Sequence, residues 1–407
     1  MKRRQFIKHG AVLSTLFATQ PALFAARERL AVKTPLKHFV FVNLTGAPSQ
    51  MEMFDPKPKH KNGGPTKTIK TKIKDVLFAD TLENLAENSN HMAVMRMTST
   101  DANHGTAQGK LQYAGANTIA GIENRPSLGA ISAYALGKEI NSGLPRYVTI
   151  SAGNMPGGFL GNDFSSYNYG GSNEFDIPAS VKSTVKKSVP IREKLRDLSP
   201  MKDSEVYKEE TKNEEKALYV IEKGKEVFDA SLEPAAVKAS FDGGNANQFM
   251  LTNRLINYGV STIQINIGGW DTHSNCFTSH TRKVGDLDKG LGGLITQLKA
   301  NGKFKETLIL VCGEFGRTPR INETEGRDHF ATNWGAALIS GSIENGQVFG
   351  ESSKDGYYVN NGVSLDELLF STLEIMGTPA RLNEKGKVPE RLLPSGGSIP
   401  GFKFNRG

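Results

Sequence analysis

Short apolar runs rich in β-branched residues alternate along the chain with longer stretches of helical period. HFVFVNLTG (38–46), AVMRMTST (93–100), PRYVTIS (145–151), STIQINI (261–267), TLILVCGE (307–314) and WGAALISG (334–341) predict buried strands. PSLGAISAYALGKE (126–139) predicts a helix with proline near its start, and QFMLTNRLINYG (248–259) an amphipathic helix stopped by Gly259. VGDLDKGLGGLITQLKANG (284–302) predicts another, stopped by Gly302. SLDELLFSTLEIMG (364–377) carries Ser364 and Glu367 at the spacing of a capping box. Strands alternating with helices argue for an α/β fold, a mostly parallel central sheet with helices on both faces.

The remaining stretches break this rhythm. KPKHKNGGPTKTIKTKIK (57–74) is a basic loop, and residues 152–175 form a long Gly-, Asn-, Ser- and aromatic-rich loop of the kind that lines sites. Residues 180–240 are highly charged with a helical pattern, which predicts a surface excursion with a solvated face. There is no internal repeat, and residues 27–407 are expected to form a single domain.

The first 26 residues stand apart. A basic head, a modest apolar run and small residues near Ala25 and Ala26 describe a signal peptide. Arg3-Arg4-Gln5-Phe6-Ile7-Lys8 fits the twin-arginine pattern, which predicts a periplasmic or secreted protein. No other segment has eighteen apolar residues in a row, so no membrane span is expected after signal removal. The formal charge is +8, and Lys2, Arg3, Arg4 and Lys8 supply half of it. What remains on the mature chain is too weak to argue for nucleic acid. Two cysteines, Cys276 and Cys312, exclude a disulfide framework but leave one bridge open.

In an open parallel sheet, loops at the carboxyl ends of the strands gather into one crevice. NLTGAPSQMEMFDP (43–56), TSTDANHG (98–105), GGWDTHSN (268–275) and CGEFGRTPR (312–320) all follow predicted strands, and EGRDHF (325–330) comes soon after. Asp271 and His273, two apart, point to the same side of an extended chain, roughly 6–7 Å apart at Cα, and so can share a cation. Their alternative is a turn cap and a supporting hydrogen bond. Glu314 after an apolar run suits a metal ligand or a general base, or else an ion pair with Arg317 or Arg320. In the Asp328-His329 pair, His329 is the candidate ligand and Asp328 its orienting partner, against a surface loop. His104 is a further candidate, against a local turn. Ser49 is a candidate nucleophile that would need a metal or base, against a turn serine, and Asp55 before Pro56 reads equally as a turn former. Together these acids and imidazoles suggest a site for a divalent metal such as Zn, Ca or Mn.

The twin-arginine start, GAPSQMEMFDPKP, NHGTAQ, GGWDTHSN, CGEFGRTPRIN and GRDHF, in that order, resemble the bacterial family called domain of unknown function 1501. That family is similar to the alkaline phosphatase and sulfatase superfamily. The resemblance implies an alkaline-phosphatase-like fold and a metal crevice that hydrolyses phosphate or sulfate esters of a small molecule or glycan. It implies Asp271, His273, Glu314 and His329 as ligands, and Ser49 as nucleophile. For such a hydrolase Arg317 and Arg320 are candidates to bind the substrate's oxyanion, against fold-stabilising ion pairs. Two positions depart from the superfamily pattern: Phe315 stands where a histidine is usual, and Asn43 where the first strand usually ends in an acid. A one-metal or non-catalytic binding or assembly protein fits those departures too.

Overall fold

All seven residues of the first strand, β1 (His38–Leu44), are buried, because the strand lies in the middle of a sheet covered on both faces. This computed structural model describes residues 35–115, 124–137, 143–170, 222–382 and 390–406, with isolated positions between 191 and 219. The leader and most of the 180–240 excursion lie outside the described residues.

The central sheet has eight strands. After β1 come β2 (Met92–Met97), β3 (Tyr147–Ile150), β4 (Tyr167–Tyr169), β5 (Thr262–Ile267), β6 (Thr307–Cys312), β7 (Trp334–Ile339) and β8 (Gln347–Phe349). Their order across the sheet is β8-β2-β7-β6-β1-β5-β3-β4. Only β7 is antiparallel to its neighbours, β6 and β2. The α/β, mostly parallel sheet expected from the pattern is therefore present.

Alternation along β1 assigns its side chains to two cores. Val40, Val42 and Leu44 join Ile263, Ile265 and Val311 beneath helices Ala246–Asn257 and Cys276–Ala300. Phe39 and Phe41 join Leu308 and Leu310 beneath helices Leu128–Leu136 and Leu365–Ile375. Each such fully buried side chain contributes about 1.5–3 kcal/mol.

The reversal at β7 has a local cause. No helix lies between β6 and β7; instead Gly316–Arg317 pairs antiparallel with His329–Phe330, and the chain returns without a crossover. The edge strands β4 and β8 escaped the sequence pattern because each has three half-buried residues and no apolar run. Helix Cys276–Ala300 begins eight residues before the expected start, and helix His104–Gln112, capped by the Asn103 side chain, was not anticipated. The capping box at Ser364 forms as expected: its hydroxyl accepts from the Glu367 N–H, and the Glu367 carboxylate accepts from the Ser364 N–H at 2.8 Å. Cys276 and Cys312 are free and buried, so the open disulfide is not formed. Among the described residues no helix is long and apolar enough to cross a membrane.

Register sets the crevice. Asn43 stands opposite Asn266 on β5 and Cys312 on β6, so the loops after these three strands leave the sheet side by side. Met97 ends β2 opposite Trp334, which brings the 98–104 loop and the approach to β7 to the same edge.

Candidate metal centre

Close backbone packing holds the loops together. Gly46 has φ 109°, and a Cβ there would sit 2.7 Å from the Asp271 N, so only glycine lets the β1 loop support the Asp271 loop. A Cβ on Gly326 would lie 1.9 Å from the His273 carbonyl oxygen, which brings the GRDHF segment equally close to His273.

Asp271 Oδ1 is the focus. Nε2 of His273 lies 3.0 Å away, Nε2 of His329 3.3 Å and Nε2 of His104 3.7 Å. The one-residue spacing of Asp271 and His273 thus does bring carboxylate and imidazole together. The ligand atoms of His104, Asp271 and His329 all lie within 4.8 Å of one another. His273 Nε2 is 3.1 Å from His329 Nε2. Asp271 remains 48% exposed, so the cluster opens to solvent.

The far side of each ring is bonded. His104 Nδ1 lies 2.7 Å from Glu314 Oε1, His273 Nδ1 2.8 Å from Asp328 Oδ1, and His329 Nδ1 3.1 Å from the Ala102 carbonyl. Carboxylate and carbonyl oxygens only accept, so in each neutral ring the proton sits on Nδ1 and Nε2 offers a lone pair. Burial, then the charge of Arg317, pushes the His329 pKa down and favours its neutral form. At Asp271 burial works upward. The hydrogen bond and charge of Arg317 prevail and lower its pKa to about 2.

Other expected site residues are placed differently. Glu314 is 3% exposed and stands behind His104, outside the converging atoms; its Oε1 also accepts from the Gly46 N–H at 2.9 Å. Ser49 is fully buried, its N–H donates to His280 Nε2 at 2.9 Å, and its hydroxyl has no partner. As folded, that hydroxyl is closed off from solvent and offers an incoming ester no accessible nucleophile. Arg317 is fully buried as well, and its donors are all engaged: Nε to the Ala47 carbonyl, Nη1 to the Arg327 carbonyl and, at 3.5 Å, toward His273 Nε2, Nη2 to the Gly46 carbonyl and to Asp271 Oδ1. It ties Asp271 to the Gly46–Ala47 loop and to the Arg327 segment rather than reaching toward substrate. Arg320 is exposed, away from the Asp271 ion pairs. Asp55 is buried among Lys57, Arg96, Ser352 and Asn333, in a separate polar cluster.

Two structural pairings were missed from sequence. Arg327 and Glu52, both buried, form a two-pronged ion pair at 2.8 and 3.1 Å. Arg327 also donates to the Asn62 carbonyl, fastening the basic loop to the site. The available signal was Glu52 inside the apolar run MEMF, where a charge needs a partner. His280 is also buried; burial lowers its pKa to about 4 and keeps it the neutral acceptor that the Ser49 N–H needs.

No curated protein matches the chain. Among solved structures, alkaline phosphatase from the Antarctic bacterium TAB5 is 14% identical at a TM-score of 0.35, over 78% of this chain and 94% of that one. PsFucS1 sulfatase from Pseudoalteromonas sp. is 12% identical at a TM-score of 0.36, over 88% of this chain and 70% of that one. A Vibrio parahaemolyticus protein in the alkaline phosphatase superfamily is 13% identical at a TM-score of 0.38, over 86% of this chain and 69% of that one. These likenesses are too distant to carry an argument about activity. Residues 36–387 match the family described as a protein of unknown function, DUF1501, and the chain belongs to that family.

Proposed function

We propose that the protein is an exported, metal-dependent hydrolase of sulfate or phosphate esters, acting on a small molecule or a glycan. The observation that supports it best is the convergence of three imidazole Nε2 atoms on Asp271 Oδ1, each ring tied at Nδ1 to an acceptor. Two Nε2 atoms 3.1 Å apart need a proton or a metal ion between them, and with both rings protonated at Nδ1 a metal ion fills that place. The buried Nε2 of His104 has no hydrogen-bond partner, so its lone pair is free to take a cation. A divalent ion therefore fits, held by His104, Asp271, His273 and His329. Three nitrogens and one carboxylate suit Zn or Mn better than Ca, which takes six to eight oxygens. A bound ion would supply Lewis-acid polarisation of an ester oxygen. The chain's own contribution is to aim the four ligands, to hold Asp271 ionised through Arg317, and to leave one side open to solvent.

A second reading has its own support. Ser49 is buried and Arg317 is saturated, so neither an open nucleophile nor a free guanidinium faces the cluster. A metal-holding binding protein that keeps the fold without catalysis fits that arrangement. Export rests on the twin-arginine leader.

Elemental analysis of folded, exported protein tests the metal reading: about one divalent ion per chain is expected, lost in Asp271→Asn and His329→Ala. Folded wild type that takes up no Zn or Mn in a competition titration would end it. Turnover of aryl sulfates or aryl phosphates with added Zn or Mn supports the hydrolase, and stoichiometric metal without turnover favours the binding protein.

A further inference from the structure

The carboxylates behind the rings differ. We propose that Glu314 is a positioning residue: it locks His104 in the Nδ1–H tautomer and holds its Nε2 toward the cation site, without touching the ion. This rests on the metal reading above and deepens it. Glu314 Oε1 is fixed at the end of β6 by the Gly46 N–H at 2.9 Å and faces His104 Nδ1 at 2.7 Å. It is 3% exposed against 36% for the His104 side chain, so water reaches this bond from the ring side alone and the carboxylate is held by protein. His104 sits in the first turn of helix His104–Gln112, and its ring is wedged between Phe315 at 4.9 Å and His329 at 4.4 Å. Phe315, where the superfamily pattern has a histidine, is packing for this ring. Asp328 makes the matching bond to His273, but it is 57% exposed and shared with Asn322. Solvent can replace Asp328; at Glu314 nothing can. The geometry thus ranks the two carboxylates, with Glu314 the stronger support.

The test uses the full mature chain, with Zn or Co affinity by competition and the His104 tautomer by ¹⁵N NMR of the metal-free protein. Glu314→Met, which removes the acceptor, is expected to lower affinity by roughly 10–100-fold, the usual cost of losing such a partner, and to let the His104 proton move to Nε2. Glu314→Gln keeps an acceptor oxygen, so it should retain the Nδ1–H tautomer with a several-fold loss. Asp328→Asn should cost less than Glu314→Met. An unchanged tautomer and affinity in Glu314→Met would overturn the proposal. So would a Gln variant that loses metal as completely as Asp271→Asn, since Glu314 would then be a ligand. The Gln variant decides the question if the Met variant does not fold. Wild type that binds no metal overturns the metal reading instead, while the metal-free tautomer measurement still decides the role of Glu314.

Discussion

Asp55 and Asp271 follow strands of the same sheet edge, and each gathers a set of nitrogens, yet they are chemically opposite. Asp55 is buried and faces permanent donors: Lys57 and Arg96 at 2.9 Å and Ser352 at 2.7 Å. Every partner brings its own hydrogen or charge, so the cluster is complete. Asp271 is half exposed and faces Arg317 and three imidazoles whose protons are already committed elsewhere. With those tautomers lone pairs face the Asp271 carboxylate, an arrangement that a cation would complete. A structural carboxylate and a ligand carboxylate are thus told apart by the far side of their neighbours.

The sharpest way to break this comparison is at Asp55. Asp55→Asn leaves the half-buried Lys57 and Arg96 without a counter-charge, and urea unfolding should show a loss of about 3 kcal/mol, the low end for breaking a buried pair. Metal affinity of the folded fraction should be unchanged. Asp271→Asn differs: it also costs stability, since the buried Arg317 loses its counter-charge, but it adds a loss of metal beyond the roughly 10–100-fold of an outer partner. If Asp55→Asn lost metal and Asp271→Asn lost only stability, the assignments would be reversed.

His38 sharpens the contrast between imidazoles. Burial lowers its pKa to about 4, against 6.5 in a free chain, and its Nδ1–H donates to the Val260 carbonyl at 2.8 Å. The unfolded chain therefore binds the proton first. Its stabilising contribution is full above about pH 6.5, declines as the pH falls, and is gone below about pH 4. In His38→Gln, unfolding curves should flatten across that window, whereas His329→Gln, at a solvent-open ring, should change them little. The smallest expected effect is at a satisfied cap far from either cluster: Ser364→Ala should cost about 1 kcal/mol, measured by urea unfolding, with metal binding untouched.

Local pattern carried much of this. The interior strands at 38–44, 262–267 and 307–312 were legible because a strand buried on both faces is an uninterrupted apolar run. The i, i+2 spacing of Asp271 and His273 was legible because an extended segment fixes it. The edge strands were not, being short and half-buried, and neither was the reversal of β7, which depends on the hairpin between Gly316–Arg317 and His329–Phe330. Glu314 was a candidate ligand or base and Ser49 a candidate nucleophile, against an ion pair and a turn serine, because both follow strands. What sequence does not encode locally is that His104, 210 residues from Glu314, takes one carboxylate oxygen, or that His280, 231 residues from Ser49, closes over its N–H.

By itself the chain determined which residues reach the crevice: runs of apolar residues place strand ends, and strand ends place Asp271, Glu314 and their neighbours. Tertiary structure alone decided what each one does there. An imidazole offers a proton or a lone pair according to what sits behind it, and a carboxylate is a ligand or a brace according to which side is left open. Both are set by packing between segments far apart in sequence, where burial removes the water that would otherwise stand in for any partner.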